Sequence, residues 1–112
     1  MSEFHRSFRK TIPGLVPNSC DIAVIDANHA IGIASDIEGS WHPFIMPTGK
    51  EWPELPRRPR RQRALARRLA FQFYKEVLHA HEPDFQFPSL SELEWKPKQP
   101  LPDWAEFPAA SS

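Results

Sequence analysis

Twelve residues, RRPRRQRALARR at positions 57–68, hold seven arginines and no acid. Guanidinium groups present paired N–H donors that match phosphate and carboxylate oxygens, so the stretch points to an anionic partner. Three partners fit: a nucleic acid, an acidic protein surface, or the chain's own rear, which carries six acids against two lysines from Glu82 to Ser112. The charge is confined to a predicted helix start and the loop before it. A helix N-terminus already bears positive partial charge, so arginines crowded there need anions nearby. No helix-turn-helix pair, zinc finger or RNA-binding signature accompanies them. A protein partner is therefore favoured, with nucleic acid as the alternative through Arg57, Arg58, Arg60, Arg61, Arg63, Arg67 and Arg68. PELPRR and PRRPRR also fit the P-x-x-P-x-Arg spacing of polyproline ligands, a pattern that arises by chance in Pro- and Arg-rich chains.

Five histidines and one cysteine offer little else. His79 and His81 stand about 200° apart on a helix and cannot share a metal. With a single cysteine and no spaced ligand set, no metal site is expected. Cys20, Asp21 and His29 could make a nucleophile, an acid and a base only if the fold converged them in a cleft. No predicted helix N-terminus lies near Cys20 to lower its pKa. Asp26 and His29 bracket a turn and are expected to serve it. Asp36 and Glu38 share a strand face, which is also an ordinary solvent face. There is no nucleophile elbow and no glycine-rich phosphate cradle. The reading is non-enzymatic, with no cofactor.

Aromatic residues are the other lead. Trp41, His42 and Phe44 lie in one loop with Trp52 nearby, while Trp95, Trp104 and Phe107 lie further on. Trp and Arg are enriched where interfaces concentrate their binding energy. The candidate partner-binding set is Trp41, His42, Phe44, Trp52, Arg57, Arg58, Arg60, Arg61 and Arg63. The competing explanation is that these tryptophans close the ends of a small core.

The elements that must position these groups are short, because 13 prolines each remove an amide donor. Residues 1–19 read as an extended arm, 20–94 as an α+β domain and 95–112 as a proline-rich tail. Alternation in CDIAVIDANHAIGIASDIEG predicts a β-hairpin over 21–27 and 30–37, with DANH as its turn. Both faces of the first strand are apolar. One should meet a helix and the other an arm, a tail or a partner. Phe44 to Met46 suggests a short third strand, with PTGK turning the chain. A helix is predicted over 59–81, with Pro59 in its first turn. Leu65, Leu69, Phe73 and Val77 form its stripe, widened by Ala66, Ala70 and Tyr74 and extended by Phe71 and Leu78. Pro83 ends it. Ser89 and Glu92 have capping-box spacing for a further short helix. The expected fold is thus a hairpin or three-stranded antiparallel sheet packed by one long helix.

A chain of 112 residues with 40% apolar content builds a modest core. Its formal net charge is zero, which favours association. No apolar run approaches the roughly 20 residues of a membrane span, and no secretory signal is read. The single cysteine fits a reducing compartment, and the expected location is cytoplasmic. These features predict an accessory subunit or inhibitor that docks on a larger protein or protein complex, of the kind found among phage or plasmid accessory proteins. They leave a homo-oligomer open.

Overall fold

The computed structural model describes residues 4–5, 8–9, 12–46, 52–53 and 60–108. Pro59, the PTGK stretch and parts of the predicted arm and tail lie outside the described residues, as do Arg57 and Arg58.

The alternating isoleucines and valines form the expected hairpin, although its first strand starts at Leu15, inside the segment read as an arm, and not at residue 21. Leu15–Asp26 (β1) turns at Ala27 and Asn28 and returns as His29–Asp36 (β2). Asp26 Oδ1 accepts the Asn28 amide at 2.8 Å, the side-chain-to-backbone bond that makes Asp a turn former. A second turn leads into Trp41–Ile45 (β3). There Asp36 Oδ1 accepts the amides of Glu38 at 2.9 Å and Ser40 at 3.0 Å. Gly39 takes φ +86°, a conformation that glycine adopts without steric cost.

A fourth strand, Trp95–Gln99 (β4), corrects the expectation of two or three strands. It comes from the Pro- and Lys-rich sequence predicted to be tail, and pairs antiparallel with the free side of β1. The sheet order is β3-β2-β1-β4, antiparallel throughout. As an edge strand β4 can tolerate Pro97. Proline flanked by Lys96 and Lys98 also discourages further strand addition.

One helix, Arg63–His81 (α1), packs on one face of the sheet, giving an α+β fold. It begins four residues later than predicted. The backbone of Arg60 is taken instead by Trp41 on β3: the Trp41 amide donates to the Arg60 carbonyl at 2.7 Å, and the Arg60 amide donates to the Trp41 carbonyl at 3.0 Å. The helix also sits rotated from the predicted stripe. Ala66, Ala70, Phe73, Tyr74, Val77 and Leu78 are buried, whereas Leu65 is 42% exposed and Leu69 half-buried. Small alanines let the helix approach the isoleucines of the sheet closely. Its core joins Ala23, Ile31, Ile33 and Ile45 to that alanine face, with Phe71, Phe85, Phe87, Leu93 and Trp95 packed around it. Ser89 and Glu92 do pair, around a single 3₁₀ turn, Leu90–Glu92: the Ser89 hydroxyl and amide both donate to Glu92 Oε1, at 2.8 and 3.2 Å.

The opposite face is covered from within the chain. Cys20, Ala34 and Phe44 pack there against Ile12 from the N-terminal side and Ala105 and Phe107 from the C-terminal side. Phe44 lies across Gly32, its register partner. A Cβ at Gly32 would stand 2.2 Å from the Phe44 ring and 2.9 Å from the Asp21 carbonyl oxygen, so glycine is required. Two-residue pairings, Phe8–Arg9 with Phe107–Pro108 and Phe4–His5 with Trp52–Pro53, tie in the N-terminal segment. Among the described residues no helix is long and apolar enough to cross a membrane.

Candidate functional site

Residue 21 decides the fate of the arginine cluster. On β1, Ala23 and Ile25 turn toward the helix, and Asp21 shares their parity. Its side chain is fully buried. A buried carboxylate needs charged partners and hydrogen bonds, and the start of α1 supplies both. Arg63 Nη2 donates to Asp21 Oδ1 at 3.0 Å, and its Nε lies 2.8 Å from Oδ2. Arg67 donates to Oδ2 through Nε at 3.0 Å and Nη2 at 2.6 Å. Each guanidinium is also stacked on a tryptophan. Arg63 lies 4.7 Å from the Trp41 ring centroid, and Arg67 lies 5.0 Å from that of Trp95. Two of the seven arginines and two of the four tryptophans, one of them the candidate Trp41, thus close an internal clasp.

The clasp reassigns much of the predicted surface. Arg63 and Arg67 are quenched by this chain, although by Asp21 and not by the acidic rear. Trp41 is half-buried under Arg63. Phe44 is fully buried, with ring centroids 5.3 Å from Phe107 and 5.6 Å from Trp104, and so serves the core, not a partner. His42 Nε2 lies 2.7 Å from Asp36 Oδ2 and locks the second turn. Asp36 is held below the usual carboxylate range: desolvation works against this, but His42 and the Ser40 and Glu38 amides outweigh it. Trp52 pairs through its backbone with His5. Arg57 and Arg58 lie outside the described residues.

Arg60, Arg61 and Arg68 remain exposed. Arg61 reaches the Glu38 carbonyl at 3.4 Å, which sets it beside Ile37. Arg68 is one helical turn from Leu65. Ile37 is 78% exposed and Leu65 42%. The helix start they surround has no side-chain cap on Gln62 and no acid in its first turn. Three exposed arginines, the exposed Glu38 and two bare aliphatic side chains therefore lie near the helix start.

Cys20, Asp21 and His29 do not converge. Cys20 belongs to the core on one face and Asp21 to the clasp on the other. Burial, then the neighbouring charge of Asp21, pushes the Cys20 thiol up to about 11, the reverse of nucleophile activation. His29 pairs with Asp26 at the far end of the hairpin. Its Nδ1 lies 2.7 Å from Asp26 Oδ1 and its Nε2 lies 3.3 Å from Glu82 Oε1. With both nitrogens facing carboxylates, the ring staples the hairpin turn to the helix end. The Asn28 amide and then His29 hold Asp26 below its ordinary range. Phe85 covers the same ring at 4.3 Å between centroids. Below it, the buried Tyr74 hydroxyl lies beside the Ala30 backbone without a full hydrogen bond. Burial, then Glu82 and Asp26, raise its pKa well above the ordinary 10.0, so it stays neutral. Among the described residues no three His, Cys, Asp or Glu side chains are grouped to hold a metal ion.

A groove of about 620 Å³ opens beside this staple. Phe85, Phe87, Leu93, Ile25 and Val24 line it, and Asp26, Glu92 and Glu94 add carboxylates. Neither the clasp nor the groove was foreseen in the sequence. The available signal for the clasp was an acid at the same strand parity as two inward apolar residues.

No protein-family model matches the chain, and comparison with curated proteins and with solved structures likewise gives no match.

Proposed function

We propose that this chain is a non-enzymatic protein-binding subunit or inhibitor that docks on an acidic protein surface through Arg60, Arg61 and Arg68. The supporting observation is the company these arginines keep. Leu65, one turn from Arg68, and Ile37, next to the Glu38 whose carbonyl Arg61 reaches, are exposed, and cations mixed with exposed aliphatic side chains and an acid suit a protein partner better than a phosphate backbone. The aromatic contribution expected from the sequence gives way to an aliphatic one, since Trp41 and Phe44 are used internally.

The test is quantitative co-purification of the wild-type chain and an Arg60→Gln/Arg61→Gln/Arg68→Gln variant from nuclease-treated lysate. A stoichiometric protein retained by the first and lost by the second supports the reading. In parallel, binding to duplex and single-stranded nucleic acid is titrated against salt. Tight binding whose log–log slope falls by about 0.9 per arginine removed on duplex would overturn it in favour of phosphate recognition.

A further inference from the structure

We propose that the acid-lined aromatic groove at the hairpin tip receives the Arg60–Arg61–Arg68 patch of a second copy of this chain, joining copies head to tail. This rests on the reading that those arginines form a protein-docking surface, and it names the partner.

The formal net charge is zero, and the described lining of the groove carries three acids and no lysine or arginine. Arg60, Arg61 and Arg68 surround the start of α1, whereas Glu82 and Asp84 follow its end, with Asp26, Glu92 and Glu94 at the adjoining groove. Both sets carry the charge that the helix dipole disfavours at that end. Among the described residues, Asp84 and Glu94 are exposed and meet no cation.

Along the 19-residue helix roughly 28 Å separates Arg60 and Arg61 from Glu82 and Asp84, so these groups cannot pair within one molecule. Arg60 is pinned near its start by two backbone hydrogen bonds to Trp41. A second copy has no such constraint. Its guanidinium groups can stack on Phe85 and Phe87 while their N–H forks meet Glu92 and Glu94. The apolar pieces match as well. Among the described residues, the exposed large aliphatic side chains are Ile37 and Leu65 at the basic end and Val24 at the lip of the groove. A contact between different patches leaves one of each free, so it propagates unless rotation closes a ring.

The test uses the full chain and sedimentation velocity. Two variants neutralise one patch each: Arg60→Gln/Arg61→Gln/Arg68→Gln at the basic end and Glu92→Gln/Glu94→Gln at the groove. Gln at 92 preserves the capping-box pairing, and thermal melts establish that both variants fold. The wild-type mass should rise above 12.9 kDa between about 10 µM and about 1 mM, the range of a small, wet contact. It should fall back when salt shortens the Debye length from about 10 Å to about 3 Å. Each variant alone should stay monomeric. An equimolar mixture retains one intact junction and should stop at two chains.

A wild type that is monomeric throughout overturns the proposal, as does a mixture that never pairs. Association that survives either neutralisation indicates a different contact and also overturns it. The docking reading stands if the wild type is monomeric yet the arginine variant loses a protein partner; if that variant changes neither, both ideas fall.

Discussion

Arg63 and Arg67 differ from Arg60, Arg61 and Arg68 in nothing but position. All five lie within nine residues. The inner pair meets a carboxylate held by the sheet and becomes part of the structure. The outer three meet solvent. What separates them is one residue on another element, Asp21, 42 residues before Arg63 and 46 before Arg67. Charge density along a sequence is therefore a poor guide to charge available at a surface.

The most direct way to break this contrast is to remove its cause. Asp21→Ala leaves two cations at a site shaped for an anion. Losing one partner of a buried pair costs about 3–5 kcal/mol, a large share of the stability of a domain this small. Urea unfolding should show the loss, or the variant should fail to fold. A loss under 1 kcal/mol would mean that the arginines are as solvated as the outer ones.

The next largest effects lie within the inner pair. Arg67→Ala should cost about 2–3 kcal/mol and Arg63→Ala about 1–2 kcal/mol, in the range of hydrogen bonds to charged groups. The order follows burial, since the Arg63 side chain is 43% exposed and that of Arg67 30%. In the double variant the second removal should cost more than the first, because only then is Asp21 left unpaired. Equal single effects that simply add would argue against a shared clasp.

The same contrast marks what sequence could reveal. Local patterns carried the hairpin, its DANH turn, the long helix and the Ser89–Glu92 pair, because each depends on neighbours within a few residues. Long-range facts were hidden. Trp95–Gln99 reads as tail because its prolines and lysines suit an edge strand and a loop equally. The predicted helix start failed because Trp41 claims the Arg60 backbone. The helix stripe was misaligned because leucines outweigh alanines in hydrophobicity, although alanines permit the close approach to the sheet. The groove needs Val24, Phe87 and Glu94 together, and no spacing rule joins them.

Cys20 reports on the neighbouring side of the same strand. At pH 8 a thiol raised from 9.0 to about 11 has about one-hundredfold less thiolate than a free one. Thiol-reactive dye should therefore modify the folded chain at least about one-hundredfold more slowly than the urea-unfolded chain, and Asp21→Ala should narrow the gap. The linkage has a definite sign. The folded pKa exceeds the unfolded one, so this stabilisation is complete below pH 9.0 and lost as pH climbs through about 11. Asp26 and Asp36 act oppositely: their folded pKa values are depressed below 3.8, so their contribution is present above that pH and lost as acid protonates them.

The smallest expected change sharpens the comparison most, because its sign should reverse. Arg60→Gln/Arg61→Gln/Arg68→Gln removes no buried bond, as surface changes usually alter stability by under about 0.5 kcal/mol. Arg60 and Arg61 precede a helix start without a cap or an acid, where positive charge is disfavoured by about 0.3–1 kcal/mol per group at low salt. Neutralising them should leave the melting temperature unchanged or slightly raised, and added salt should erase any gain. Destabilisation above about 1 kcal/mol would show the outer arginines to be structural like the inner pair, and the surface argument would fail with them. A neutral or stabilising result would mean that the folded monomer does not need these charges, so what they serve must lie outside it.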